Sequence, residues 1–113
     1  MSFQTSDSHS AQESRPIRAA VLQSGMFEEA KTLVGELPGW SLVEADEGRG
    51  RIECTRRGGL LFGSSRITIT LESPPGIPST TVNVRSESSG GIFRRDRRNV
   101  AEFVRPFHRR VCL

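Results

Sequence analysis

"RITITLESPPGIPSTTVNVRS" (residues 66–86) contains two runs in which apolar and polar side chains alternate. In the first run Ile67, Ile69 and Leu71 oppose Arg66, Thr68 and Thr70. In the second Val82 and Val84 oppose Thr81, Asn83 and Arg85. A period of two belongs to extended chain, and clean alternation gives a strand one dry face and one wet face. Strands of this kind form antiparallel sheets covered on a single side. Pro74, Pro75, Gly76 and Pro78 separate the runs, and proline cannot donate to a ladder, so this segment reads as a loop.

Working outward, Trp40 to Ala45 and Arg51 to Arg57 read as a hairpin about Glu47-Gly48-Arg49-Gly50. A short alternating segment, Ile17 to Leu22, adds another strand. Gly58-Gly59 and Gly63-Ser64-Ser65 bracket Leu60-Leu61-Phe62 as an apolar connecting loop. The dry face needs a cover, and two segments have the spacing to supply it. Met26, Phe27, Ala30, Leu33, Val34 and Leu37 recur at helical intervals until Pro38-Gly39 stops the run. Val100, Phe103, Val104, Phe107 and Val111 form a second apolar stripe at spacings of three and four. Asp96 is the expected N-cap of that second helix. Pro106 is expected to kink or break it near Arg105, because proline lacks a backbone donor and clashes with the preceding turn.

The expected fold class is α+β. The elements run strand, helix, four strands, helix, with both helices on one face of an antiparallel sheet in a two-layer sandwich. This β-α-β4-α order is similar to one repeat of the TATA-box-binding protein, a likeness of topology alone. Residues 1–16, MSFQTSDSHSAQESRP, are polar and Ser-rich and are expected to be a disordered tail, leaving 17–113 as one domain. The tail has neither the basic start nor the apolar stretch of a secretory signal, and no apolar run approaches the ~20 residues of a membrane span. The expected setting is cytoplasmic, with no membrane partner.

Charge is unevenly spread. Residues 1–84 hold eight basic and ten acidic side chains, whereas residues 85–113 hold eight arginines against Glu87, Asp96 and Glu102. A basic block of this kind can mark an anionic partner. Gly90-Gly91 ahead of a helix, with Arg85, Arg94, Arg95, Arg97 and Arg98 beside it, forms a candidate anion-binding site, since helix N-termini direct free N–H groups at anions. The spacing matches neither common phosphate-loop pattern. Fifteen of the sixteen basic residues are arginine, a uniform bias that also fits genome composition.

The wet sheet face, with Arg51, Glu53, Thr55, Arg66, Thr68, Thr70, Thr81, Asn83 and Arg85, is the second candidate surface. It carries no aromatic platform on which single-stranded nucleic acid would stack, so nucleic acid is the weaker partner reading and a protein partner or self-association the stronger. His9 and His108 have no Cys, Asp or second His at ligand or triad spacing, and the serines have no visible activating base. No catalytic residue, metal site or cofactor is expected. Cys54, on the dry side of a strand, and Cys112 are expected to be free thiols. A small apolar ligand between helices and sheet, near Trp40 and Phe62, is a further expectation.

At "GLLFGSSRITITL" (59–71) and "VRSESSGGIFRRDRRNVAEF" (84–103) the chain resembles a group of small uncharacterised bacterial α+β domains. The shared pattern comprises a helix ending in Gly-Trp, a third strand with I-x-I, a fourth strand with Ser-x-Ser, a glycine turn and a basic helix opening on N-[VI]-x-x-F. Gly39-Trp40, Ile67, Ile69, Ser86, Ser88, Asn99, Val100 and Phe103 carry the match. The group's Asp-Trp-Gly turn is replaced by Ile92-Phe93-Arg94. The resemblance implies the same fold and transfers no catalytic residue. The expected function is a small non-enzymatic interaction or accessory module working through the polar sheet face or the basic C-terminal helix.

Overall fold

The computed structural model describes residues 2–57, 64–88 and 93–112, with backbone alone at residues 93 and 94. The elements are β1 (Ser2–Gln4), a 3-10 turn (Gln12–Ser14), β2 (Ile17–Ala19), α1 (Gln23–Glu36), β3 (Trp40–Asp46), β4 (Arg51–Arg56), β5 (Ser65–Glu72), β6 (Thr80–Ser88) and α2 (Phe93–Val111). The strands form one antiparallel sheet in the order β1-β6-β5-β4-β3, with β2 also pairing β6. The two alternating runs pair with each other, Ile67 opposite Ser86, Ile69 opposite Val84 and Leu71 opposite Val82.

This register stacks the dry residues in rows. Ile52, Cys54, Ile67, Ile69, Val82 and Val84 are at most 1% exposed. They pack in one cluster with Met26, Phe27, Ala30, Leu33 and Val34 of α1 and Val100, Phe103, Val104 and Phe107 of α2. Fully burying a side chain of this kind contributes roughly 1.5–3 kcal/mol. Phe103 stacks on Phe107 at 5.1 Å between ring centroids, and Trp40 lies tilted against Phe103 at 6.2 Å. Arg110 of α2 holds the two helices together through Glu36 at 2.6 Å and Glu29 at 3.5 Å.

The N-terminal segment corrects one expectation. Residues 2–16 do not form a disordered tail: β1 pairs with β6, Phe3 opposite Ser86, and Phe3 joins the core. β1 and β2 lie along the same edge of β6, β1 against Arg85–Glu87 and β2 against Thr80–Val82. Between them the 3-10 turn packs on α2, with Glu13 bound to Arg105 at 3.0 Å. One aromatic that fits an apolar gap outweighs a polar flank, because burying it removes far more apolar surface than serines contribute.

α2 corrects two more. It runs unbroken through Pro106. Phe103 and Phe107, both fully buried, hold the turns on either side of the proline against the sheet. Asp96 is not an N-cap but lies inside α2, fully buried and turned toward β6. Among the described residues, no helix is long and apolar enough to cross a membrane.

Candidate functional site

The wet face of the sheet is left uncovered by the helices, which pack on the opposite, dry face. Cross-strand rows run Arg51–Thr70–Asn83 and Glu53–Thr68–Arg85–Gln4, set by the β4–β5, β5–β6 and β1–β6 registers. They line a concavity of about 500 Å3 with Gln4, Thr5, Arg51, Thr68, Thr70, Asn83, Arg85 and Glu87 on its walls. Much of this wall is internally satisfied. Thr5 Oγ1 donates to Asn83 Oδ1 at 2.9 Å and accepts from the Val84 amide at 3.0 Å. Arg85 pairs with Glu87 at 3.3 Å, and Arg51 pairs with Glu53. The face therefore offers hydroxyls, amides and balanced charge. Thr68 and Thr70 stand at its centre.

The candidate anion residues do not form one surface. Arg85 lies on the wet face, opposite the core face that α2 covers, since its neighbour Val84 is buried in the core. Arg97 and Arg98 lie exposed on α2, Arg97 with its guanidinium 6.0 Å from the Phe3 ring centroid. Arg95 is half-buried. Gly90-Gly91 and the Arg94 side chain lie outside the described residues, as does Phe62 of the expected apolar site. What the fold does assemble is a groove of about 410 Å3 along α2, lined by Glu13, Arg97, Arg98, Ala101, Glu102 and Arg105.

Glu102 does not pair with Arg98, the surface partner its spacing suggests. It accepts the Trp40 indole N–H at 2.8 Å and binds Arg56 at 3.0 Å, which ties α2 to β3 and β4.

A third cluster was not foreseen from the sequence. At one end of the sheet the dry face turns polar. Ser86 and Ser88 both donate to Asp96 Oδ1, at 2.8 and 2.6 Å. Ser65 Oγ lies 2.8 Å from Ser88 Oγ, and Asn99 Nδ2 donates to Ser86 Oγ at 3.1 Å. Asp96, Asn99 and Ser86 are fully buried. The Ser-x-Ser strand and the Asn of the basic helix thus meet inside the protein. The readable signal was Ser86 and Ser88 sharing a parity with Val82 and Val84, and Asp96 and Asn99 sharing a helical face with Phe103. Phe3 and Thr5 were missed because they sit in a polar segment, although Phe3 is its one phenylalanine.

The Cys54 thiol is pushed up to about 12, first by burial and then by the Glu53 carboxylate, which makes it inert. Among the described residues no three His, Cys, Asp or Glu side chains converge to hold a metal ion.

No family model matches the chain, and no curated protein matches its sequence. Solved structures do match in fold. The crystal structure of Ara h 8.0201 aligns with a TM-score of 0.57 at 13% identity, over 96% of this chain and 92% of that one. A Thermobifida fusca protein solved by solution NMR aligns with a TM-score of 0.51 at 12% identity, over 96% of this chain and 93% of that one. At these identities the likeness is one of fold: an α+β chain with two helices against an antiparallel sheet.

Proposed function

We propose that the protein is a non-enzymatic interaction module that receives a protein partner, or a second copy of itself, on the uncovered sheet face. The observation that carries this reading is the concavity centred on Thr68 and Thr70, with Asn83, Gln4 and two arginines at its walls. Polar, charge-balanced surfaces of this kind suit protein contacts, which are about as apolar as ordinary surface and satisfy their hydrogen bonds across the interface. In the same reading the chain is a cytoplasmic member of the small bacterial α+β group it resembles at Ser86, Ser88, Asn99 and Phe103. The topology of one TATA-box-binding-protein repeat describes residues 17–111.

The test compares wild type with Thr68→Arg, which places a long charged side chain in the middle of the face beside Arg85, and with Arg98→Glu on α2. Sedimentation and quantitative co-purification are expected to show an associated species that Thr68→Arg loses and Arg98→Glu keeps. A strict monomer with the same co-purifying set in all three chains overturns the reading.

A second reading, anion or nucleic-acid binding, draws on the α2 groove with Arg97, Arg98 and Arg105. It requires RNA, DNA or polyphosphate to bind at low ionic strength and to be released steeply by salt. Binding that survives Arg98→Glu unchanged excludes this groove.

A further inference from the structure

The buried cluster at Asp96 has an internal direction. Ser86 and Ser88 each carry one hydroxyl proton, and both are directed at Asp96 Oδ1. With its proton committed there, Ser88 can only accept from Ser65, and Ser86 can only accept from Asn99. The Asn99 amide orientation follows from this: its NH2 must face Ser86, so its carbonyl oxygen faces away. The three serine hydroxyl protons and one N–H of Asn99 are used in this chain of bonds. What remains are two acceptors, Asp96 Oδ2 and Asn99 Oδ1, both buried and without a partner. They stand one helical turn apart on α2, and their side chains meet at the same Ser86 hydroxyl.

Buried acceptors left without donors are expensive, a carboxylate oxygen most of all. Two in one cluster imply a species that brings positive charge or donors and has no need of an acceptor. We propose that Asp96 Oδ2 and Asn99 Oδ1 form a binding site for a compact monovalent cation, an alkali ion or an ammonium group. The charge selects the valence. Among the described residues of the cluster Asp96 is the sole ionisable group, so one positive charge neutralises the site and two would leave an excess. The donor set selects hard cations: carboxylate, amide carbonyl and hydroxyl oxygens replace a hydration shell, and no sulfur or imidazole is present.

The experiment follows thermal unfolding of the full chain in choline chloride at constant ionic strength, exchanging choline for sodium, potassium, ammonium or methylammonium. Specific binding to the folded state raises the midpoint by roughly 5 °C for each tenfold increase in cation above its dissociation constant. Alkali ions acting alone indicate a metal ion, whereas ammonium and methylammonium acting with or without them indicate an N–H donor; either supports the site.

Asp96→Asn is the informative variant. Its carbonyl can still accept from both serines, and its neutral amide removes the charge that a cation would balance. This variant is expected to fold, to be at least as stable as wild type without cation, and to lose the cation response. Asn99→Ala should weaken the response at least about tenfold, while Thr68→Ala on the opposite face should leave it intact. A wild-type midpoint that ignores all four cations, a response confined to magnesium, or an Asp96→Asn protein that keeps the wild-type response overturns the proposal.

Discussion

Gly50 shows how little freedom a single position can have. Its φ is +63°, a conformation that costs any residue with a Cβ. A Cβ built there would lie 2.3 Å from the Leu71 carbonyl oxygen, because Gly50 accepts the Leu71 amide at 2.7 Å. Gly50→Ala is therefore expected to destabilise the fold by at least about 2 kcal/mol, read from the urea midpoint. The two cysteines make a complementary case. Cys54 is fully buried with its thiol pushed up to about 12, and Cys112 is half-buried near the C-terminal end of α2. A thiol-reactive disulfide should titrate one cysteine in the native protein and both in denaturant. Fast reaction of Cys54 in the native state would show that its strand opens readily.

The added strand β1 depends on one side chain and on contacts made by the segment that follows it. Phe3→Ala should cost about 3 kcal/mol, at the low end for a buried phenylalanine because the strand lies at an edge. Two carboxylates hold the rest of the segment. The Glu13 carboxyl sits below its ordinary value, first through a backbone hydrogen bond and then through Arg105. The Asp7 carboxyl is lowered chiefly by its hydrogen bond from Arg18. Both pKa values are depressed by folding, so their contribution is present above the ordinary carboxylate range and disappears as pH falls through the lowered values. Amide chemical shifts of residues 2–16 should therefore move toward random-coil values under acid before those of β5 and β6 do. Simultaneous loss would show that the segment is no weaker than the core. On α2, Glu102→Ala removes the acceptor of the Trp40 N–H and the partner of Arg56. A red shift in fluorescence from the protein's one tryptophan should accompany a loss of about 1–2 kcal/mol.

For the molecule as a whole, the arrangement divides labour between two faces of one sheet. The dry face carries the core and ends in the Asp96 cluster, while the wet face is left uncovered by the helices. Alternation in residues 66–86 and the two helical stripes were enough to read this division, since strand parity and helix period are local properties of the chain. The sixth strand was not legible, because Phe3 reveals its role only when β6 offers an edge. The five arginines looked like one patch because they are close in the chain. Parity puts Arg85 on one face of the sheet, and α2 carries the others on the opposite side.

The amino-acid sequence settled the class of fold, the core residues of five strands and two helices, and the polar character of the open face. Periodicity carries that information within a few residues of chain. The tertiary structure decided what distance in the chain conceals: that a polar N-terminus completes the sheet, that Pro106 leaves α2 unbroken, and that Ser65, Ser86, Ser88, Asp96 and Asn99 meet in one buried cluster. Each of these turns on a contact between separate elements, where packing and hydrogen bonding outweigh the preference of any local segment.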